Sequence, residues 1–199
     1  MNVLHKPFIT ADEFEMMSGT EGLELVDGEI KEIPMGAESS YVSGELLQLL
    51  GLIVRAGQLG QLFPPDAMYR CFPHRPSLIR KPDVSFIRAG RFSNNRPPRG
   101  IITLVPDLVV EVVSPNDLYY EVEAKLNDYL QAKVPLIWIV NPDSRSIHVY
   151  ESTGAIRRLG AEDELTGGAV VADFRVLVGE LLPPPVAVPE EPTPEPPAN

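Results

Sequence analysis

The feature of this sequence that most restricts its fold is an apolar run with one carboxylate near its centre. Residues 107–114 are DLVVEVVS, with a proline on either side. The β-branched composition predicts a strand, because valine packs well on a pleated surface. Both faces of that strand would be apolar, so we expect other elements to cover both of them. The chain must therefore place this strand inside a layered fold.

A helix and a second apolar strand follow this run. Residues 117–133 carry apolar side chains at helical spacing, and residues 136–140 are LIWIV. The order strand, helix, strand predicts a right-handed crossover between parallel strands. Residues 146–150 should return as an antiparallel strand after a turn at residues 141–144. The predicted fold is therefore α/β, with a mixed β-sheet flanked by helices.

The first half of the chain predicts shorter elements. Thr10 and Glu13 have the spacing of a helix capping box, so a short helix should begin there and end near Gly19. Asp27-Gly28 lies between two alternating runs and predicts a β-hairpin. The other expected elements are one helix and two strands, at residues 41–56, 61–71 and 83–88.

Proline content divides the chain into two parts. Residues 183–199 are PPPVAVPEEPTPEPPAN, which leaves few backbone donors and too little apolar surface to order a structure. We therefore expect one folded domain at residues 1–182 and a disordered, Pro-rich acidic tail at residues 183–199. No signal peptide or membrane-spanning run is expected, and Cys71 is the only cysteine. These features predict a cytoplasmic protein without disulfides.

The net charge of −11 argues against a protein that coats nucleic acid non-specifically, because such proteins usually carry a basic face. Basic residues are nevertheless concentrated between residues 70 and 99. This stretch could form a local groove for phosphates, or it could be a solvated loop region. The sequence leaves both interpretations open.

Two charged residues occupy positions where apolar side chains are expected. Glu111 lies in the middle of LVVEVV, where a carboxylate is costly unless it is paired, protonated or bound to a metal. Lys125 shares an apolar helix stripe with Leu118, Val122 and Tyr129, and from there its ammonium could reach Glu111. The alternatives are a structural ion pair for Glu111 and a solvent-directed amine for Lys125.

Asp83 begins the predicted strand at residues 83–88, directly after Pro82. An aspartate at such a position often serves only in a turn or a cap. Two carboxylates and a lysine that meet on one sheet would instead suit Mg²⁺, which takes oxygen ligands and keeps several waters. The hypothesis is a cation site that contains Asp83 and Glu111.

Several segments, taken in this order, resemble the Uma2 (DUF820) family of the PD-(D/E)XK nuclease superfamily. They are LELVDGEI, KPDVSFI, DLVVEVVSP, the helix with Lys125 and Tyr129, and PLIWIVNP. The resemblance spans residues 10–182 and implies a restriction-endonuclease-like core. It further implies a metal-dependent endonuclease that hydrolyses phosphodiester bonds of nucleic acid, DNA above all, with Mg²⁺ or Mn²⁺ as cofactor. A homodimer is also implied, whereas the expectation of no membrane partner comes from the lack of a long apolar run.

The resemblance gives each candidate residue a role. Asp83 and Glu111 would hold the metal, helped by the backbone carbonyl of Val112. Lys125 would orient or deprotonate the attacking water, or offset charge in the transition state. Glu24 would be an auxiliary acid; its alternative is an exposed residue of the hairpin.

This chain departs from the family pattern at two places. Val113 stands where the superfamily usually has its lysine, so Lys125 on the following helix would take that role. Near the start of the second helix the family often has a histidine, whereas this chain has Ser39 or Tyr41 there. Two other functions therefore stay open: a catalytically silent interaction module that retains the fold, and a hydrolase of another phosphate ester.

Overall fold

The computed structural model of the chain describes residues 7–33 and 36–185. Its α-helices are α1 (Ala11–Met16), α2 (Ala37–Ala56), α3 (Tyr119–Gln131) and α4 (Val178–Leu181). Its strands are β1 (Leu23–Val26), β2 (Glu29–Glu32), β3 (Gly60–Phe63), β4 (Val84–Arg88), β5 (Leu108–Val112), β6 (Leu136–Asn141), β7 (Ser146–Glu151), β8 (Ile156–Leu159), β9 (Glu164–Thr166) and β10 (Arg175–Leu177).

Strands β3 to β8 form one six-stranded sheet in sequence order. β5 and β6 are parallel, with Glu111 opposite Ile139, and each other pair of neighbours in this sheet is antiparallel. Helix α3 connects the two parallel strands, as the strand–helix–strand order predicted. The α/β fold with a mixed sheet flanked by helices is therefore confirmed.

The sheet separates two apolar cores. Leu108, Val110 and Val112 of β5 contribute to one core, which also contains apolar side chains of α2. Val109 of the same strand contributes to the other core, together with Tyr129 of α3. Helices thus cover β5 on both faces, and this explains why almost every side chain of the strand is apolar.

The β1–β2 hairpin and α1 pack around a third, smaller core. Thr10 and Glu13 form the predicted capping box at the start of α1. The hairpin turns at Asp27-Gly28, where both residues have positive φ, as a tight two-residue turn requires. A bridge between Leu25 and Ile79 ties the hairpin to the segment that leads into β4.

Some predicted boundaries are wrong. The strand expected at residues 61–71 ends at Phe63, because Pro64 and Pro65 offer no N–H to a ladder. Leu118 and Leu130 are 49% and 43% exposed, so the apolar stripe of α3 is narrower than predicted. The helix expected at residues 41–56 begins earlier, at Ala37.

The last part of the domain was not predicted at all. It comprises β8, β9, β10 and α4, which have only three or four residues each. Elements of three or four residues are too short to show a hydrophobic period. The predicted tail lies outside the described residues from residue 186 onward, so the domain boundary at residue 182 stays a prediction. In the described ranges, the helices include none long and apolar enough to span a membrane.

Two glycines should respond in opposite ways to alanine. A Cβ on Gly60 in β3 would lie 2.1 Å from the carbonyl oxygen of Ile87, so Gly60→Ala should destabilise the fold by about 1–3 kcal/mol. A Cβ on Gly44 in α2 would meet nothing within 4 Å, so Gly44→Ala should stabilise the fold by about 0.5–1 kcal/mol. Urea unfolding measures both; a stable Gly60→Ala would contradict the close approach of β3 to β4.

Candidate active site

Glu111 lies near the end of β5 and is only 5% exposed. Both of its carboxylate oxygens accept hydrogen bonds from α3. The Nζ of Lys125 donates to Oε2 at 3.0 Å, and the hydroxyl of Tyr129 donates to Oε1 at 2.6 Å. Lys125 and Tyr129 are four residues apart and so occupy one helix face. The structure therefore brings Glu111 and Lys125 together.

Asp83 lies immediately before β4 and is buried. In the register of β4 and β5, Val84 lies opposite Val110. If this register is continued by one residue, Asp83 lies opposite Glu111. The Oδ2 of Asp83 accepts the backbone N–H of Val112 at 2.7 Å, which completes the hydrogen bonding of β5 where β4 has ended. Opposite residues of neighbouring strands share a sheet face, so the two carboxylates lie on the same side.

Glu24, in strand β1 of the hairpin, also lies close to Lys125. It is 2% exposed, so it is not the exposed hairpin residue that the sequence left as an alternative. Its Oε2 accepts from Arg80 at 2.7 Å, and its Oε1 accepts from the backbone N–H of Lys81 at 2.9 Å. The Nζ of Lys125 lies 3.8 Å from Oε1. Lys125 therefore stands between the carboxylates of Glu24 and Glu111.

Arg80 extends this network away from β5. Its guanidinium binds Asp128 of α3 at 2.6 Å as well as Glu24, and Arg75 binds both Asp128 and Asp27. The charges alternate along the network, which runs Asp27, Arg75, Asp128, Arg80, Glu24, Lys125 and Glu111. Each buried charge thus has an opposite neighbour, which offsets the cost of removing it from water.

Asp83 adds a negative charge at the end of this network and forms no ion pair with any residue that the structure describes. Burial, and next the charge of Glu111, raise the pKa of Asp83 to about 7. Burial also raises the pKa of Glu111, although Lys125 opposes the shift. Burial acts to lower the pKa of Lys125, but Glu111 and Glu24 outweigh it, so that pKa is raised. In this site Lys125 is a stable ammonium, whereas the carboxyl group of Asp83 would ionise more readily if another positive charge lay nearby.

A cavity of about 270 Å³ opens beside these residues. Glu24, Glu111, Val112 and Lys125 line it. Asp83 is not a lining residue and adjoins the cavity through its hydrogen bond to Val112. The other charged or aromatic residues of the wall are Lys31, Glu32, Arg80, Asp117, Tyr120 and Glu121.

The donors at this cavity suit a hard divalent cation. Mg²⁺ prefers oxygen ligands, and one or two carboxylates with several waters are usually enough. Asp83 and Glu111 provide two carboxylates, and the charge of Glu111 adds to the effect of burial in raising the pKa of Asp83. Among residues 7–33 and 36–185, no three His, Cys, Asp or Glu side chains are grouped so that they could hold a metal. Water and substrate would therefore have to complete the coordination.

Of the cations in the basic stretch at residues 70–99, only Arg80 lines this cavity. Six of its cations form ion pairs with carboxylates of this chain, some buried and some at the surface: Arg70, Arg75, Arg80, Lys81, Arg88 and Arg91. Arg88 and Arg91 bind Asp107, which precedes β5 and is about 13 Å along the strand from Glu111. The phosphate groove that this stretch could have formed is therefore not at the candidate site.

Sequence reasoning missed four members of the network, and it missed the hydrogen bond from Tyr129 to Glu111; the four are Asp27, Arg75, Arg80 and Asp128. The signal for Tyr129 was its four-residue spacing from Lys125. Arg80 and Asp128 gave no comparable signal, because they are 48 residues apart and meet only after the segment before β4 packs on α3.

Comparisons with known proteins agree with this fold. The family model Uma2, described as "Putative restriction endonuclease", matches residues 11–179. A crystal structure described as that of "a putative nuclease belonging to DUF820", from Anabaena variabilis ATCC 29413, is similar, with a TM-score of 0.73 and 20% identity. The match covers 87% of this chain and 97% of that chain, and it shows a shared fold. No curated protein matches this chain.

The pKa of Asp83 predicts a pH-dependent difference in stability between the wild type and Asp83→Asn. The folded chain keeps the Asp83 proton up to about pH 7, whereas the unfolded chain loses it near its ordinary pKa of 3.8. The stabilisation from this proton is complete below pH 3.8 and is lost as pH rises through 7. The free energy of unfolding of the wild type should therefore fall relative to that of Asp83→Asn, by about 1.4 kcal/mol per pH unit between these limits.

Urea unfolding in EDTA, at a series of pH values, measures this difference. Asp143→Asn, in the exposed turn after β6, is the control for replacing a carboxylate by an amide. A difference between wild type and Asp83→Asn that stays constant from pH 4 to 8 would contradict the environment assigned to Asp83.

Proposed function

This chain belongs to the Uma2 family, and from that premise we propose that it is a nuclease that hydrolyses phosphodiester bonds with a divalent cation. The substrate is nucleic acid, DNA above all, and the cation is Mg²⁺ or Mn²⁺. A homodimer, as the family resemblance suggests, belongs to the same proposal. The single observation that carries it is the buried pair of Asp83 and Glu111 with Lys125 bound to one of the two carboxylates.

Asp83 and Glu111, with the carbonyl of Val112, would hold the cation. When bound, the cation polarises the phosphoryl group and lowers the pKa of a water bound to it. Asp83 has to be ionised to act as a ligand, and its raised pKa means that a proton leaves when the cation binds. The N–H of Val112 holds the Oδ2 of Asp83 in position before the cation arrives.

Lys125 is better suited to stabilise charge than to accept a proton. Its raised pKa keeps it protonated, so it is a poor base for the attacking water. A fixed ammonium can instead orient that water, or offset the negative charge that develops on the phosphate in the transition state. Of the three roles that the family resemblance left open, deprotonation is the one that the electrostatics disfavour.

Glu24 positions Lys125 in this proposal. Its oxygens are held by Arg80 and by the N–H of Lys81, and, unlike Glu111, it does not lie opposite Asp83 on the sheet, so it is a weaker candidate for a metal ligand. Its charge helps to keep Lys125 protonated. The auxiliary acid of the family pattern would thus act through the lysine.

One observation favours a second candidate, a catalytically silent interaction module. Both oxygens of Glu111 accept hydrogen bonds from α3, so the ion network closes around this residue without a metal. Such a module would be indifferent to divalent cations. Binding of a cation therefore separates the two candidates before any substrate is known.

The first test is a titration with Mn²⁺ in which calorimetry measures binding. The wild type should bind Mn²⁺ at pH 8, and its affinity should fall about tenfold per pH unit below pH 7, because Asp83 must release its proton. Glu111→Gln should weaken binding by roughly tenfold or more, since it removes a ligand charge. Asp143→Asn should bind as the wild type does. A wild type that ignores Mn²⁺ would support the silent module.

A cleavage assay on single-stranded, nicked and duplex DNA, with Mg²⁺ or Mn²⁺, is the second test. Lys125→Met should lower the rate by about 10²- to 10⁴-fold, because it removes the fixed positive charge beside Glu111. Asp83→Asn should lower it as strongly, and Asp143→Asn should not change it. Equal rates in all four proteins would end the nuclease proposal. Turnover of a phosphate monoester without any DNA cleavage would indicate a hydrolase that acts on another phosphate ester.

A further inference from the structure

Tyr120 is an aromatic side chain at the wall of the cavity that contains Glu111 and Lys125. It lies in the first turn of α3 and is 63% exposed. It belongs to none of the three apolar cores, so packing does not account for it. Single exposed aromatic residues are common, but this one lies beside the candidate reactive groups.

The spacing on α3 sets the distance between Tyr120 and Lys125. The start of α3 lines the cavity with Tyr120, Glu121, Ala124 and Lys125, and Asp117 lines it just before the helix begins. Tyr120 and Lys125 are five residues apart, which is about 7.5 Å along the helix axis. This corresponds to roughly two nucleotide steps of about 3.4 Å each. A strand with a phosphate near Lys125 can therefore bring a neighbouring base to the ring of Tyr120.

The charges of the cavity wall disfavour a duplex. Five acids and three bases line the cavity, and all three bases, Lys31, Arg80 and Lys125, already form ion pairs with carboxylates. A duplex carries one negative charge per about 1.7 Å of its axis, whereas a single strand carries one per about 3.4 Å. The acidic wall therefore repels a duplex more strongly than a single strand. Affinity at this cavity has to come largely from contacts without charge.

We infer that the cavity takes an unpaired nucleotide whose base stacks on Tyr120, so that single-stranded nucleic acid is the preferred substrate class. The inference rests on the proposed function for the position of the phosphate. Stacking on an aromatic side chain needs a base with an open face, and the bases of a duplex are already stacked on one another. Tyr120 is thus a specificity-determining residue, and Asp83, Glu111 and Lys125 are the reactive groups.

The test compares two fluorescein-labelled strands of twelve units, one of thymidines and one of abasic residues. They carry the same phosphate charge and differ only in the bases. Fluorescence anisotropy in Ca²⁺, at one fixed salt concentration, gives the Kd of each. The wild type should bind the thymidine strand about 5- to 100-fold more tightly than the abasic strand. Tyr120→Ala should bind the two alike, and Tyr120→Phe should keep the preference because it keeps the ring.

Tyr119→Ala is the matched control. Tyr119 is the preceding residue of the same helix and is 80% exposed, but it does not line the cavity, so its variant should keep the wild-type preference. The inference is overturned if the wild type binds both strands with one Kd, or if Tyr120→Ala keeps the preference. It is also overturned if a twelve-base-pair duplex binds more tightly than the thymidine strand.

The same proteins separate this inference from the proposed function. A preference for bases that depends on Tyr120, without hydrolysis of any strand, would support the stacking site and contradict the nuclease. Hydrolysis that depends on Lys125, without a preference for bases, would support the nuclease and contradict the stacking site.

Discussion

A carboxylate inside a strand that is apolar on both faces has to be compensated, and α3 supplies the compensation for Glu111. Lys125 and Tyr129 reach the two oxygens of Glu111 from consecutive turns of one helix. The position of α3 on the sheet is therefore set by charge and hydrogen bonding as well as by apolar packing. Because α3 is also the connection between β5 and β6, the same contacts stabilise the parallel pair of strands.

The ion network that begins at Glu111 joins three elements. Glu24 belongs to the hairpin, Arg80 to the segment before β4, and Asp128 to α3, one turn after Lys125. Removing one partner of a buried pair leaves an uncompensated charge and costs about 3–5 kcal/mol, whereas exposed pairs contribute about 0–1 kcal/mol. The residues that form the candidate site are thus also residues on which folding depends.

The balance of charge differs between the two ends of the network. Around Arg80 and Asp128 the charges match, and this part serves to hold elements together. At Asp83 and Glu111 negative charge is in excess when both are ionised, because Asp83 has no ion-pair partner among the described residues. Burial, and next the charge of Glu111, raise the pKa of Asp83 to about 7. A bound cation would remove that excess. The proposed metal site, the protonated state of Lys125 and the pH dependence of stability therefore all depend on carboxylates that are buried close together.

The sequence by itself determined the α/β class and the β5–α3–β6 unit, and it indicated the pairing of Glu111 with Lys125 as one of the open alternatives. These depend on hydrophobic period and on the cost of a buried charge, and the partners lie only 14 residues apart. Only the tertiary structure decided that Glu24 is buried, that Arg80 holds it across 56 residues, and that most cations of residues 70–99 pair with carboxylates of this chain. No local period encodes such distant contacts, because they form only once the hairpin and the segment before β4 pack against α3.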